Sequence, residues 1–292
     1  MVTCGFLDHL KDIINVVQMP LFFSISGFCL IYTMRRGDSH ISTFIVDKLR
    51  RIIVPYLIIG VFYLYPIRMI AKYEPYMHRN PLYVIFWDIV LGFDNGHLWF
   101  LPTLFLMLVV TYCIGTWIKF NPDGNAHNTT FYIITLAIGF VGVLISSGIP
   151  YIGQFAQWYI YFLAGLLIHQ FRRLLKHSAA IIAVLTVVVL GCFASVWLNV
   201  VSPIAIKAIA LLCTVYAYYA VPDHSTTVLR HISHNSMGMY LFHSPLVYLS
   251  YCFYPDIAPW LMTLINFVGF GTISYLLTSE LRKLRLGFII GE

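Results

Sequence analysis

Apolar stretches of about 20 residues, separated by short turns, constrain the fold of this chain more than any other feature. A helix of that length and character can cross the hydrocarbon core of a bilayer. The composition agrees, since 60% of the residues are hydrophobic, 10% are charged and the mean hydropathy is +0.81. We therefore predict an all-α polytopic transmembrane helix bundle whose nine spans are 14–34, 52–71, 97–118, 130–148, 151–171, 179–200, 203–221, 236–254 and 258–280.

The connecting segments predict one compact membrane domain. Segment 82–92 (LYVIFWDIVLG) is too short to cross the membrane and carries Asp88, so we predict that it lies in the interface or enters as a re-entrant piece. The turns between spans have no linker character, and residues 1–292 are predicted to form a single domain. The six cysteines are scattered without a CxxC pair, so we interpret them as buried apolar residues and expect no metal site.

The distribution of lysine and arginine predicts the orientation, because positively charged loops are retained on the cytoplasmic side. If residues 35–51 are cytoplasmic, most of the 18 lysines and arginines lie in loops on that side. The N-terminus is then extracytoplasmic and the C-terminus cytoplasmic. One basic cluster lies between the first two predicted spans and contains Arg35, Lys48, Arg50 and Arg51.

Four motifs carry a resemblance to a known family. They are VVQMPLFFSISGF (16–28), DKLRRIIVPY (47–56), HLWFL (97–101) and SMGMYLFHSPLV (236–247). In this order and spacing they resemble integral-membrane acyltransferase family 3, the bacterial O-acyltransferases that modify surface and secreted carbohydrates. The resemblance covers nearly the whole chain.

The resemblance also marks a departure near the N-terminus. Relatives in this family usually begin with one more span, which carries an arginine and a histidine regarded as catalytic. This sequence starts after the place where that helix should end. We therefore expect a tenth span upstream of Met1, and the family's principal histidine is not among the candidate residues of this chain.

The resemblance implies a plasma-membrane enzyme that moves an acetyl or other short acyl group from cytoplasmic acyl-CoA to a hydroxyl of a cell-surface or exported carbohydrate. The expected donor is acetyl-CoA, and the expected partners are membrane lipids and a carbohydrate or lipid-linked glycan. Arg35, Lys48, Arg50 and Arg51 are then candidates for binding the CoA phosphates. Such a cluster also suits anionic lipid headgroups, and both interpretations are open.

The motif at 236–247 supplies candidates inside the membrane. Ser236, Tyr240 and His243 fall at positions i, i+4 and i+7, so they share one helix face. We expect His243 to lie about 10 Å below a cytoplasmic helix start near residue 236. Intramembrane ionisable residues usually face a bundle interior or a cavity, so Tyr240 and His243 are candidate catalytic residues and Ser236 is a candidate substrate contact. The alternative is a neutral His243 that only bonds helices together.

His97 is a further candidate catalytic residue, because it lies at the predicted outer mouth of span 97–118. A neutral imidazole there can accept a proton from a sugar hydroxyl, and the nearby Trp99 offers an apolar face to a pyranose ring. Tryptophan is also enriched at membrane interfaces, so a simple anchoring role for Trp99 stays open.

Two competing functions fit a bundle of this kind. One is a transporter or flippase for lipid-linked glycans, and the other is a glycan polymerase. No inverted repeat is visible in the sequence, and the longest predicted outer loop, 72–96, is short for a polymerase. No phosphate-binding glycine motif occurs, and we expect no nucleic-acid partner.

Overall fold

The computed structural model describes residues 5–36, 40–121, 128–144, 150–175, 210–212, 215–216 and 226–292. These residues are almost entirely helical and include no strand, which confirms the predicted all-α class. The predicted spans 179–200 and 203–221 lie outside the described residues, apart from short pieces of the second. The main helices are α1 (Gly5–Arg36), α2 (Ile41–Ile70), α3 (Pro81–Val90), α4 (Gly96–Ile118), α5 (Asn128–Leu144), α6 (Pro150–Leu175), α7 (Thr227–Phe253) and α8 (Pro259–Lys283).

Several of these helices can cross a membrane. Within α1, α2, α4 and α8 lie four stretches that are long and apolar enough to do so, whereas α3 and α5 are apolar but offer shorter stretches. The chain is therefore a multi-pass membrane protein. The number of spans and the orientation of the ends stay predictions.

The chain divides into two compact units. The first unit contains residues 1–4, 44–105 and 224–292, and the second contains residues 5–43 and 106–223. The prediction of a single domain stays a prediction.

In the second unit, α1 and α6 pack at very short range because small residues line their contact. A Cβ atom at Gly27 would overlap the carbonyl group of Phe162, and one at Gly165 would overlap the carbonyl group of Ser24. The Ser24 hydroxyl lies 2.7 Å from the Tyr161 carbonyl oxygen of α6. Close approach through small residues is how helices commonly associate in lipid, where apolar burial drives association weakly.

In the first unit the long helices are interrupted. π-helical turns occur at Leu49–Ile53 and Gly60–Leu64 in α2, and at Ile265–Gly269 in α8. α7 packs tightly on α8, since a Cβ atom at Gly238 would overlap the Thr278 side chain. Single π-helical turns expose backbone groups and often accompany functional sites.

The predicted start of α7 near residue 236 is wrong, because the helix begins at Thr227. The polar turns that precede residue 236 are stabilised by Arg282 of α8. Its guanidinium donates to the Asn235 side-chain oxygen and, at 2.6 Å, to the His234 carbonyl oxygen. His243 therefore lies about 24 Å from the helix start at 1.5 Å per residue, and its depth in the membrane stays a prediction.

The interpretation of the cysteines as buried is wrong for two of them. Cys29 and Cys252 are exposed on the surfaces of α1 and α7, and Cys113 is half-buried. The physical reason is that exposed helix faces of a membrane protein meet lipid, where a small apolar side chain is stable without protein around it.

Candidate active site

The turn that begins α4 carries His97. Gly96 has φ +58°, a left-handed conformation that favours glycine, and it leads into a single 3₁₀ turn, Gly96–Trp99. The buried Asn95 precedes this turn, and its side-chain amide donates to the Tyr56 hydroxyl at 3.1 Å. The contacts of Asn95 and the conformation of Gly96 therefore fix the position of His97 at the start of α4.

The His97 imidazole packs edge-on against Tyr240 of α7, with ring centroids 5.2 Å apart. The Tyr240 hydroxyl donates to the backbone carbonyl of His97. Both imidazole nitrogens are shielded from solvent, and neither has a hydrogen-bond partner in the part of the chain that the structure describes. A shielded polar atom without a partner is unfavourable, so this ring is suited to a substrate group that can bond to it.

His243 lies one turn after Tyr240 on α7. Its Nε2 is 2.8 Å from the Asn266 carbonyl oxygen, which belongs to the π-helical turn of α8. Because a carbonyl only accepts hydrogen bonds, a neutral His243 carries its proton on Nε2 and its lone pair on Nδ1. His243 is also close enough to act electrostatically on His97. The structure thus brings together His97, Tyr240 and His243.

Pro245 frees one backbone acceptor in the same stretch of α7. It lies inside the helix and has no N–H, so the Leu241 carbonyl one turn earlier lacks its usual donor. The Leu241 backbone lies beside the His97 ring. The next carbonyl, that of Phe242, accepts from the Tyr63 hydroxyl of α2 at 3.2 Å.

Arg68 forms a buried cluster at the end of α2, with 1% of its side chain exposed. Burial raises the pKa of the Tyr76 hydroxyl, which therefore stays protonated and donates to the Asp94 carbonyl oxygen. The guanidinium carbon lies 4.5–4.9 Å from three tyrosine ring centroids, a favourable cation–π distance. The cluster consists of Arg68, Tyr73, Tyr76, Asp94 and Tyr248.

The sequence analysis did not predict this cluster, because Arg68 lies in none of the four motifs. An arginine in the last turn of an apolar span, followed by several tyrosines, was the available signal. The Tyr248 partner is 180 residues away along the chain, and no local pattern identifies it.

A second ion pair, whose carboxylate is buried, stabilises α3. The Asp88 carboxylate is 2% exposed and accepts two hydrogen bonds from Arg79, at 2.9 and 3.0 Å. These bonds hold the pKa of the Arg79 guanidinium above its usual value. Asp88 is thus paired within the protein, and the placement of α3 in the membrane interface stays a prediction.

The predicted CoA-binding residues fall in both units. Lys48, Arg50 and Arg51 lie in α2 of the first unit, whereas Arg35 belongs to the second unit. Asp47 accepts a hydrogen bond from Arg51 Nε at 2.8 Å and lies 3.6 Å from Lys48 Nζ. The Arg50 side chain is exposed.

The two predicted substrate contacts are placed differently. The Ser236 side chain is exposed, and its hydroxyl donates to the Ser233 carbonyl oxygen at 2.7 Å. Trp99 is half-buried beside Phe100, in the turn that carries His97. Of these two residues, Trp99 is the one that accompanies a candidate histidine in its own helical turn.

Comparison with known proteins identifies the family of this chain. A family described as an acyltransferase domain matches residues 5–279. The chain belongs to the acyltransferase 3 family. This confirms the resemblance seen in the four motifs, and the protein is a membrane acyltransferase. No curated protein and no solved structure gives a significant match.

Proposed function

We propose that this acyltransferase moves an acetyl or another short acyl group from cytoplasmic acyl-CoA to a hydroxyl of a cell-surface or exported carbohydrate. The observation that carries the proposal is His97, a shielded imidazole whose nitrogens have no partner among the described residues. Family membership supplies the reaction class and favours acyl transfer over transport or polymerisation.

In the proposed reaction, the neutral His97 ring accepts the proton of the acceptor hydroxyl. The hydroxyl oxygen attacks the thioester carbonyl, so a carbon–oxygen bond forms and the carbon–sulfur bond breaks. Coenzyme A leaves as a thiolate, and the proton on His97 passes to the thiolate or to water. Tyr240 holds the base through its bond to the His97 carbonyl, and Nδ1 of His243 is a second acceptor.

The proposed binding site for the phosphates of acyl-CoA consists of Lys48, Arg50 and Arg51. Their cationic groups have the chemistry that binds phosphate and pyrophosphate. The ion pair between Arg51 and Asp47 is exposed on both sides, and such pairs contribute little, so a phosphate can replace the carboxylate. Arg50 is exposed to an incoming phosphate.

The test is transfer of labelled acetyl from acetyl-CoA in membranes that contain the protein. We expect the glycan fraction to gain label and free thiol to appear in equal amount. A glycan that crosses the membrane unlabelled, with acetyl-CoA intact, would overturn the proposal in favour of transport.

Charge reversal tests the donor site separately. Arg50→Glu is expected to raise the KM for acetyl-CoA about tenfold or more while kcat changes little, because the charge binds substrate without touching the reacting atoms. The matched control is Lys72→Glu, an exposed cation of the same unit that is predicted to lie on the opposite side of the membrane. An equal rise in the KM for acetyl-CoA in the two variants would show that CoA does not bind at Arg50 of α2.

A further inference from the structure

The Arg68 cluster is connected directly to the turn that carries His97. Arg68 Nη1 donates to both the carbonyl oxygen of Asp94, at 2.9 Å, and its carboxylate, at 3.0 Å. Nη2 packs against Gly96, where an added Cβ atom would come within 2.8 Å of it. One buried guanidinium therefore fixes the backbone immediately before His97.

The same guanidinium ties this turn to α7. Nη2 donates to the Tyr248 hydroxyl at 2.7 Å. α7 also supplies Tyr240, which bonds to the His97 carbonyl, and His243. The His97 turn is thus held on α7 at two points, by Tyr240 directly and by Tyr248 through Arg68.

The chemistry of arginine suits this task. A planar guanidinium can bond a carbonyl, a carboxylate and a hydroxyl at fixed angles while stacking on aromatic rings, which an ammonium group cannot do. Both terminal nitrogens of Arg68 are already bonded within the protein. Its side chain is only 1% exposed, so solvent does not reach the guanidinium.

We propose that Arg68 is a positioning residue, which holds His97 in the orientation needed for acyl transfer. This inference rests on the proposed role of His97. A base displaced by about 1 Å can lose on the order of 100-fold in rate, so the expected effect lies in kcat and not in the KM for acetyl-CoA.

A double-mutant cycle in membranes supplied with labelled acetyl-CoA tests the proposal. Arg68→Gln should lower the transfer rate about 10- to 100-fold in the parent protein, and by less than about twofold when His97 is already replaced by Gln. A full effect in both backgrounds, or none in the parent, would overturn the positioning role. A His97→Gln variant with the parent rate would instead overturn the proposed function.

A second measurement does not depend on activity. Diethylpyrocarbonate modifies accessible imidazoles, and mass spectrometry measures its rate at His97. Arg68→Lys and the milder Tyr248→Phe should each increase this rate several-fold, because the turn loosens. Arg51→Lys is the control, since its exposed ion pair with Asp47 lies elsewhere on α2. Unchanged His97 reactivity in folded Arg68→Lys and Tyr248→Phe would contradict the inference.

Discussion

Each of the two units of the acyltransferase is stabilised internally by a different kind of contact. In the second unit the described contacts include small residues between α1 and α6 and stacked rings such as Phe155 on Tyr159, with ring centroids 4.4 Å apart. In the first unit they include ion pairs with one buried charge each, Arg68 and Asp88, and helices broken by π-helical turns.

This difference indicates where the chemistry lies. Buried charges and irregular backbone are unfavourable in a membrane protein and persist where they serve a site. The first unit contains both features beside His97 and His243. The second unit has the contacts expected of an efficiently packed helix pair. We infer that changes in the second unit act on stability, while changes around His97 act on the reaction.

The largest stability effect is expected at the α1–α6 contact. Gly27→Ala places a Cβ atom on the Phe162 carbonyl group and should destabilise the second unit by about 1–3 kcal/mol or more. The rate per folded molecule should stay close to that of the parent protein. Denaturant unfolding in micelles and transfer assays on the folded fraction measure the two quantities.

The control for this prediction is Gly271→Ala in α8, where an added Cβ atom meets nothing within 4 Å. It should change stability by less than about 1 kcal/mol, and a helix with one glycine fewer should be slightly more stable. A Gly27→Ala protein as stable as the Gly271→Ala protein would show that the close approach of α1 and α6 is not needed.

An intermediate effect is expected at the ion pair of α3. Arg79→Gln leaves the buried Asp88 carboxylate without its partner, whereas Asp88→Asn leaves Arg79, which is 44% exposed and can turn to solvent. The unfolding midpoint should therefore fall further for Arg79→Gln than for Asp88→Asn. Thermal unfolding of the two variants in the same detergent measures both midpoints. A lower midpoint for Asp88→Asn would contradict the burial of the Asp88 carboxylate.

The smallest effect concerns pH and the C-terminal turn. Hydrogen bonds from Arg282 hold the pKa of the Glu292 carboxyl below its usual range. A lowered pKa in the folded state means that this contact stabilises fully above the unfolded pKa of about 4.3 and is lost as pH falls through the folded value. A spin label at Phe288→Cys should become more mobile below about pH 4. The same pH dependence in Glu292→Gln would exclude this carboxyl as its cause.

Much of the helix pattern was predictable from hydropathy. The predicted spans 97–118 and 258–280 agree closely with α4 and α8, because long apolar runs fix both the type and the position of a helix. The start of α7 was not predictable in this way. Its first turns are polar, and they are stabilised by Arg282, which is 47 residues further along the chain.

The candidate site was predictable only in part. The motifs HLWFL and YLFH contain His97, Tyr240 and His243, and the structure places these three residues close together. The Arg68 cluster depends on contacts between distant segments and on the left-handed Gly96, which sequence periodicity does not reveal.

Two histidines, one in each unit, distinguish a catalytic imidazole from one that only packs. His97 has shielded nitrogens without a partner among the described residues, whereas His169 is buried edge-on between Phe28 and Tyr32, with ring centroids 5.0 Å away. The measurement is the rate of thiol release from acetyl-CoA, in the presence of the glycan fraction, for His97→Gln and His169→Gln proteins of equal folded amount. We predict a loss of about 10²- to 10⁴-fold for His97→Gln and less than about threefold for His169→Gln. Equal rates in the two variants would contradict the assignment of the reaction to the first unit.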